Sequence, residues 1–223
     1  MKINYLGHSS FRIKGKSNNG DQVTVVTDPF DPKSTGLTYP KQSADIVTIS
    51  HHHPDHDFVE KVEKSGEKDL FVIDTPGEYE VSGLRVFGIH SFHDDKQGKE
   101  RGSNTIYIYD FEEARIAHLG DLGHELTAEE MEELENIEIL IVPVGGFYTI
   151  DPKIAMQVVE NVEPMIVIPM HYKTDKHNQS FEKLATLEDF IKEAGVETKP
   201  ETELNIKSKS DLPQVLTIVP LAS

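Results

Sequence analysis

The sequence predicts an α+β fold in which two β-sheets pack together with helices on the outside. Three observations lead there. Apolar, β-branched runs of strand length recur along the whole chain, helical patterns are few and gather in the second half, and no linker rich in Pro, Gly or Ser divides the two. So many strands with so few helices are buried most economically as two face-to-face sheets. With 223 residues and no internal repeat, one domain spanning 1–223 is expected.

In chain order, the strand-length runs are Lys2–Leu6, Ser10–Ile13, Val23–Thr27, Asp45–Ser50, Leu70–Ile73, Leu84–Ile89, Thr105–Tyr109, Arg115–Leu119, Glu138–Pro143, Met165–Pro169 and Val215–Val219. The helices announce themselves by their caps. Thr127-Ala-Glu-Glu130 is a capping box opening Ala128–Leu134. Asp151-Pro152 supplies an N-cap and a proline at the first helical position, opening Pro152–Val162. A third helical pattern, Phe181–Ala194, stops at Gly195, a residue suited to a C-cap. Asp31–Gln42 and the charged run His93–Asn104 read as solvated surface loops.

Composition narrows the function classes. Thirty-nine acidic against 22 basic side chains give a formal net charge of −17. That argues against affinity built on a nucleic-acid backbone and leaves a small-molecule substrate, since a bound cation can invert the local field. With no cysteine, disulfides, thiolate zinc sites and cysteine nucleophiles are excluded. The N-terminal segment lacks the apolar core of a secretory signal, and the apolar run Ile137–Val144 is too short for a membrane span. A soluble, cytoplasmic protein is therefore expected, with no membrane partner. The sequence carries no signal for oligomeric state.

The chemistry concentrates in Ser50–His56, SHHHPDH, which directly follows a strand run. In extended backbone, side chains repeat with period two, so His51 and His53 project to one side and His52 to the other. At a rise of roughly 3.3 Å per residue, the two imidazoles can converge on one ion. Pro54 then turns the chain so that Asp55 and His56 face a neighbouring position. The pattern offers two pairs of ligands, with His52 left facing solvent or behind the site.

His51-x-His53-x-Asp55-His56 resembles the signature of the metallo-β-lactamase superfamily, whose members share a four-layer αββα sandwich. The other parts of that pattern occur here in order: Asp28 in VVTDPF, His93 in SFHDD, Asp121 in HLGD and His171 in IVIPMH. Leu6-Gly7-His8-Ser9 and Gly120-Asp-Leu-Gly-His124 are similar to segments of the short, stand-alone branch of ascorbate-lactonase-like hydrolases. The resemblance implies one metal held by His51, His53 and His93, and a second by Asp55, His56 and His171, with Asp121 bridging. His90 competes with His93 for its place. His118 falls on the other strand face and reads as a core residue or as one supporting the site from behind, and His177 reads as exposed.

An all N/O donor set suits two zinc ions first, and Mn, Fe, Co or Ni as well. Such a pair is expected to hold a hydroxide and hydrolyse an ester-like bond, a lactone or other small ester before a phosphodiester. Asp55 and Asp121 would take part directly, and His8 and His124 are candidates for contacting substrate. Asp28 would orient the histidine loop, and Phe147 or Tyr148 would line a substrate pocket. The alternative is a non-catalytic metal-binding protein of the same fold. A degraded site would be expected to have lost ligands, and all seven positions are filled here.

Overall fold

The computed structural model describes residues 1–223 and places every predicted strand run in a strand. The strands are β1 (Lys2–Gly7), β2 (Ser10–Lys16), β3 (Gln22–Thr27), β4 (Gln42–Ala44), β5 (Ile46–Thr48), β6 (Val62–Lys64), β7 (Phe71–Ile73), β8 (Gly77–Val81), β9 (Leu84–Phe92), β10 (Ser103–Asp110), β11 (Arg115–His118), β12 (Ile139–Pro143), β13 (Ile166–Met170), β14 (Leu204–Asn205) and β15 (Thr217–Ile218). The helices are α1 (Pro32–Thr35), α2 (Ala128–Glu133), α3 (Pro152–Val162) and α4 (Leu187–Ala194).

One sheet has the order β14-β1-β2-β3-β5-β7 and the other β15-β13-β12-β11-β10-β9-β8. Side chains from both, among them Ile3, Phe11, Ile13, Ile106, Tyr109 and Ile139, fill the space between them as one apolar core. The amphipathic faces of α3 and α4 cover the second sheet through Ala155, Val158, Val159 and Phe190. Beyond the first sheet, α1 and the segment after it bury Phe30, Leu37 and Tyr39 against Val26 and Val47. The result is the expected α+β sandwich, thin on one side. No helix is long and apolar enough to cross a membrane.

Three expectations shift. Asp31–Gln42 is not wholly loop: Asp31 caps the single turn α1, accepting from the Lys33 N–H, and Gly36 ends it in the left-handed region. The third helix starts at Leu187, six residues late, because Thr186 and Asp189 form a reciprocal capping box there. Phe181 instead closes a short 3₁₀ turn, Gln179–Phe181. The strands β4, β6, β8 and β14 carry weak sequence signals. They are two or three residues long or, like Gly-Glu-Tyr-Glu-Val in β8, interleave glutamates on a sheet edge.

The sheets are also tied by polar contacts that fix the site. Tyr107 and Tyr109 lie two apart on β10 and both point at the first sheet. The Tyr107 hydroxyl meets the carbonyls of Ile49 and Ile73 at 3.0 and 3.1 Å. The Tyr109 hydroxyl pairs with Thr48 Oγ1 at 2.6 Å, and burial pushes its pKa up. Together they pin the end of β5, from which the histidine segment departs. Tyr107→Phe is expected to lower stability by about 1–3 kcal/mol, because buried carbonyls lose their donor. Urea unfolding monitored by circular dichroism measures it.

Candidate metal centre

Asp28, Ser50, Asp121 and His171 each fall at or just beyond the C-terminal ends of β3, β5, β11 and β13, so one rim of the sandwich receives all of them. The local backbone is bent to serve that rim. Asp28, His8 and His171 all have positive φ, at 38°, 56° and 55°. The turn between β1 and β2 docks onto β13 through the His8 carbonyl, which accepts from the His171 N–H and the Tyr5 hydroxyl, both at 2.8 Å.

Asp28 organises the histidine segment. One carboxylate oxygen accepts from the Ser50 N–H at 2.7 Å; the other accepts from the Ser50 hydroxyl at 2.6 Å and from His56 Nδ1 at 3.0 Å. With Nδ1 as donor, His56 Nε2 is a bare lone pair. The Ser50 hydroxyl, its proton committed to Asp28, accepts from His51 Nδ1 at 3.0 Å, which leaves His51 Nε2 bare as well. Both Nε2 atoms are buried without a hydrogen-bond partner. Buried unpaired acceptors are costly, and a cation is the partner they fit.

Asp121 lies at the meeting point. Its Oδ2 is 3.2 Å from His171 Nε2, 3.3 Å from both His56 Nε2 and His93 Nε2, and 4.0 Å from His51 Nε2. Asn104 holds its backbone, accepting from the Asp121 N–H at 2.9 Å and donating to the Leu119 carbonyl at 3.0 Å. Gly120 permits this approach. Its φ is +56°, and a Cβ there would fall 2.3 Å from Asn104 Oδ1 and 2.6 Å from Ser50 Cβ. Across the rim, a Cβ at Gly145 would fall 2.0 Å from the His171 carbonyl oxygen.

The donors form overlapping groups: His51, His53 and His93; His8, Asp55, His56 and His171; and His51, His56 and Asp121, each with donor atoms within 4.8 Å of one another. The geometry thus brings together all seven expected ligands and adds His8, whose Nε2 is 3.2 Å from Asp55 Oδ2. Burial, then neighbouring His56, holds His51 well below the usual imidazole range, and burial lowers His93 too. For His56, burial is outweighed by Asp121 and Asp55, which push it up. Burial would raise Asp121, but His171 and His56 hold it well below the usual carboxylate range. His51 and His93 are thereby favoured as neutral imidazole and Asp121 as carboxylate, the forms that bind cations.

Other histidines sort out by contact. His52 is 62% exposed and faces Asp57 and Asp74, as expected. His118 is buried between the Ser9 carbonyl, 2.8 Å from Nε2, and the Gly120 N–H, 3.2 Å from Nδ1. His90, on β9, is exposed beside Ser103. His177 departs from expectation: it is half-buried, its ring 5.6 Å from that of His8, and burial first, then His171, brings its pKa down to about 4. His124 also departs from its candidate role. Its Nε2 accepts from the Phe92 N–H at 3.2 Å and its Nδ1 donates to the Glu125 carbonyl at 2.8 Å. Both ring nitrogens brace backbone next to His93, leaving neither for a substrate.

The ligands floor a cavity of about 300 Å³ walled by Arg101, Tyr148 and Phe181. Tyr148 lines it. Phe147 does not; its φ is +57° and its carbonyl instead accepts from Arg101 Nη2 at 3.2 Å. Neither Arg101 nor Phe181 is legible as a site residue in the sequence, the first because it lies in a charged run, the second because it opens a helical pattern. That run is ordered by Asp94, whose carboxylate accepts from the N–H groups of Lys96, Gly98, Glu100 and Arg101 at 2.7–2.9 Å. Burial works the other way, but these donors bring the Asp94 pKa down to about 2.

Comparison with known proteins agrees with this architecture. Residues 2–171 match the family described as the beta-lactamase superfamily domain. The chain belongs to that superfamily, among its metal-dependent hydrolases, and has the metallo-β-lactamase fold. It is similar to a crystal structure from Thermotoga maritima, provisionally named a Zn-dependent hydrolase of the metallo-beta-lactamase superfamily. The two are 35% identical, with a TM-score of 0.77 and coverage of 99% of this chain and 97% of that one. It is also 29% identical to a UPF0173 metal-dependent hydrolase of Thermococcus onnurineus, over 78% of this chain and 85% of that protein. A UPF0173 metal-dependent hydrolase of Methanopyrus kandleri shows the same identity and coverage.

Asp28→Asn leaves every ligand in place but gives His56 and Ser50 a poorer acceptor. It is expected to weaken metal affinity by about 10–100-fold. Competition against a chromogenic chelator measures it.

Proposed function

We propose that this chain hydrolyses an ester-like bond, a lactone or other small ester, using two divalent cations, with zinc as first choice. The observation that carries the reading is the position of Asp121 Oδ2, within 3.3 Å of imidazoles belonging to both donor groups. A carboxylate so placed fits a bridge between His51, His53 and His93 on one side and Asp55, His56 and His171 on the other. Cations held by these residues would supply Lewis acidity, which activates water near neutral pH and polarises a carbonyl.

The chain's own residues do the rest. Asp28 and Ser50 fix which ring nitrogen His51 and His56 present. Fully buried His8 holds the Asp55 carboxylate, so its part is to position Asp55. Tyr148 and Phe181 give the cavity apolar walls above a polar floor, an arrangement suited to a small organic ester. The strongly acidic chain favours a small-molecule substrate over long nucleic acid, and a cytoplasmic setting fits the lack of cysteine.

Metal-stripped protein is expected to lose activity across a panel of lactones, thioesters and phosphodiesters, and zinc or manganese to restore it on the lactones first. Asp121→Ala is expected to cut the rate by at least about 10²-fold, the scale of losing one charge-stabilising group. It should also lower metal content towards one ion per chain by elemental analysis. Full turnover by metal-free protein would overturn the reading.

A further inference from the structure

Arg101 stands where two cavities meet. One is the metal cavity; the other, of about 380 Å³, lies behind His51 and His53 and is lined by polar residues including His52, Asp74, His90 and Ser103. Arg101 and His53 line both, so together they form the partition.

Of the four arginines, Arg85 and Arg115 each reach Asp110, whereas Arg101, like Arg12, makes no ion pair. The carboxylates nearest to it in the metal cavity, Asp55 and Asp121, are engaged with the imidazoles. In the second cavity, Asp74 faces His52. Of the five guanidinium N–H donors, the single recorded bond goes to the Phe147 carbonyl, and the guanidinium carbon is 5.7 Å from the Tyr148 ring centre. The base of the side chain is fixed, because the Arg101 N–H donates to Asp94 at 2.7 Å. A half-buried, anchored guanidinium with donors to spare is built to receive a planar or tetrahedral anion.

We infer that Arg101 is the specificity residue of this site, and that its ester substrates carry an anionic group, a carboxylate or a phosphate, which Arg101 binds at the partition while the ester lies over the metal ligands. The inference rests on the ester-hydrolase reading for the position of the reacting bond. The polar second cavity has room for hydrophilic substituents beyond that anion. A neutral ester would leave the guanidinium unpaired on binding, which is the larger source of discrimination.

The test uses metal-loaded protein and two chromogenic esters, neutral p-nitrophenyl acetate and anionic mono-p-nitrophenyl succinate. Wild type is expected to show a KM at least about tenfold lower for the succinate. Arg101→Gln should abolish that difference, raising the succinate KM by at least about tenfold more than the acetate KM, and Arg101→Lys should recover part of it. Equal KM values in wild type, or a parallel loss on both esters in Arg101→Gln, would overturn the inference and leave the hydrolase reading standing. If neither ester turns over, that reading is what fails. Calorimetric titration with succinate and with inorganic phosphate then decides the role of Arg101. Binding at least about tenfold weaker in Arg101→Gln supports the inference, with the tighter ligand naming the anion, and equal binding overturns it.

Discussion

A carboxylate removed from water must be surrounded by positive charge or hydrogen-bond donors, and Asp121, 2% exposed, is the group on which the site depends. Four imidazoles gather around its Oδ2, yet two of them, those of His51 and His56, are tautomerically committed through Asp28 and Ser50 to presenting lone pairs. Lone pairs facing a carboxylate oxygen repel it, so the assembly is complementary to cations and not to itself. The burial of so many donors is intelligible only with charge supplied from outside the chain. In the ion-free protein, His56 takes up a proton more readily than an ordinary imidazole, which is the next best compensation.

The sandwich makes this concentration of polar groups compatible with a stable core. The strands β3 and β5 run parallel in one sheet, and β11, β12 and β13 run parallel in the other, so their C-terminal ends deliver side chains to the same rim. Below the rim the sheets are joined by apolar side chains and by the hydroxyls of Tyr107 and Tyr109. These hydroxyls hold the carbonyl of Ile49 and the side chain of Thr48, two and three residues before His51. The ligand segment therefore starts from fixed backbone, and its geometry is set by the core as much as by its own sequence.

What could be read in advance follows from the range of the interactions involved. His51, His53, Asp55 and His56 are close in sequence, so strand periodicity and one turn at Pro54 suffice to pair them. His93, Asp121 and His171 came through family resemblance, because nothing local brings them together. Capping boxes located α2 and would have located α4, since Thr186-Leu-Glu-Asp189 has the same form as Thr127-Ala-Glu-Glu130. Misreadings arose where a long-range contact overrides local character. The charged run after His93 is wound around the buried carboxylate of Asp94, and His124 looks outward in sequence but inward in contact. Arg101 was illegible for the same reason, since its significance lies in what its neighbours are already bonded to.

The glycines at 120 and 145 divide the molecule into parts that can change and parts that cannot. Each lies where a missing Cβ lets one ligand-bearing loop rest directly on another piece of the rim, Gly120 against Asn104 and Ser50, Gly145 against the His171 carbonyl. The inner loops are thus interlocked, and altering one displaces the next. The outer wall of Arg101, Tyr148 and Phe181 rests on side-chain contacts instead, such as Phe181 edge-on to the His8 ring at 5.0 Å between centres, and bounds the cavity above the ligands. In descent from a common ancestor, the inner ring is expected to stay frozen while the wall drifts, and new substrate preferences would be acquired there without disturbing the metal-binding apparatus.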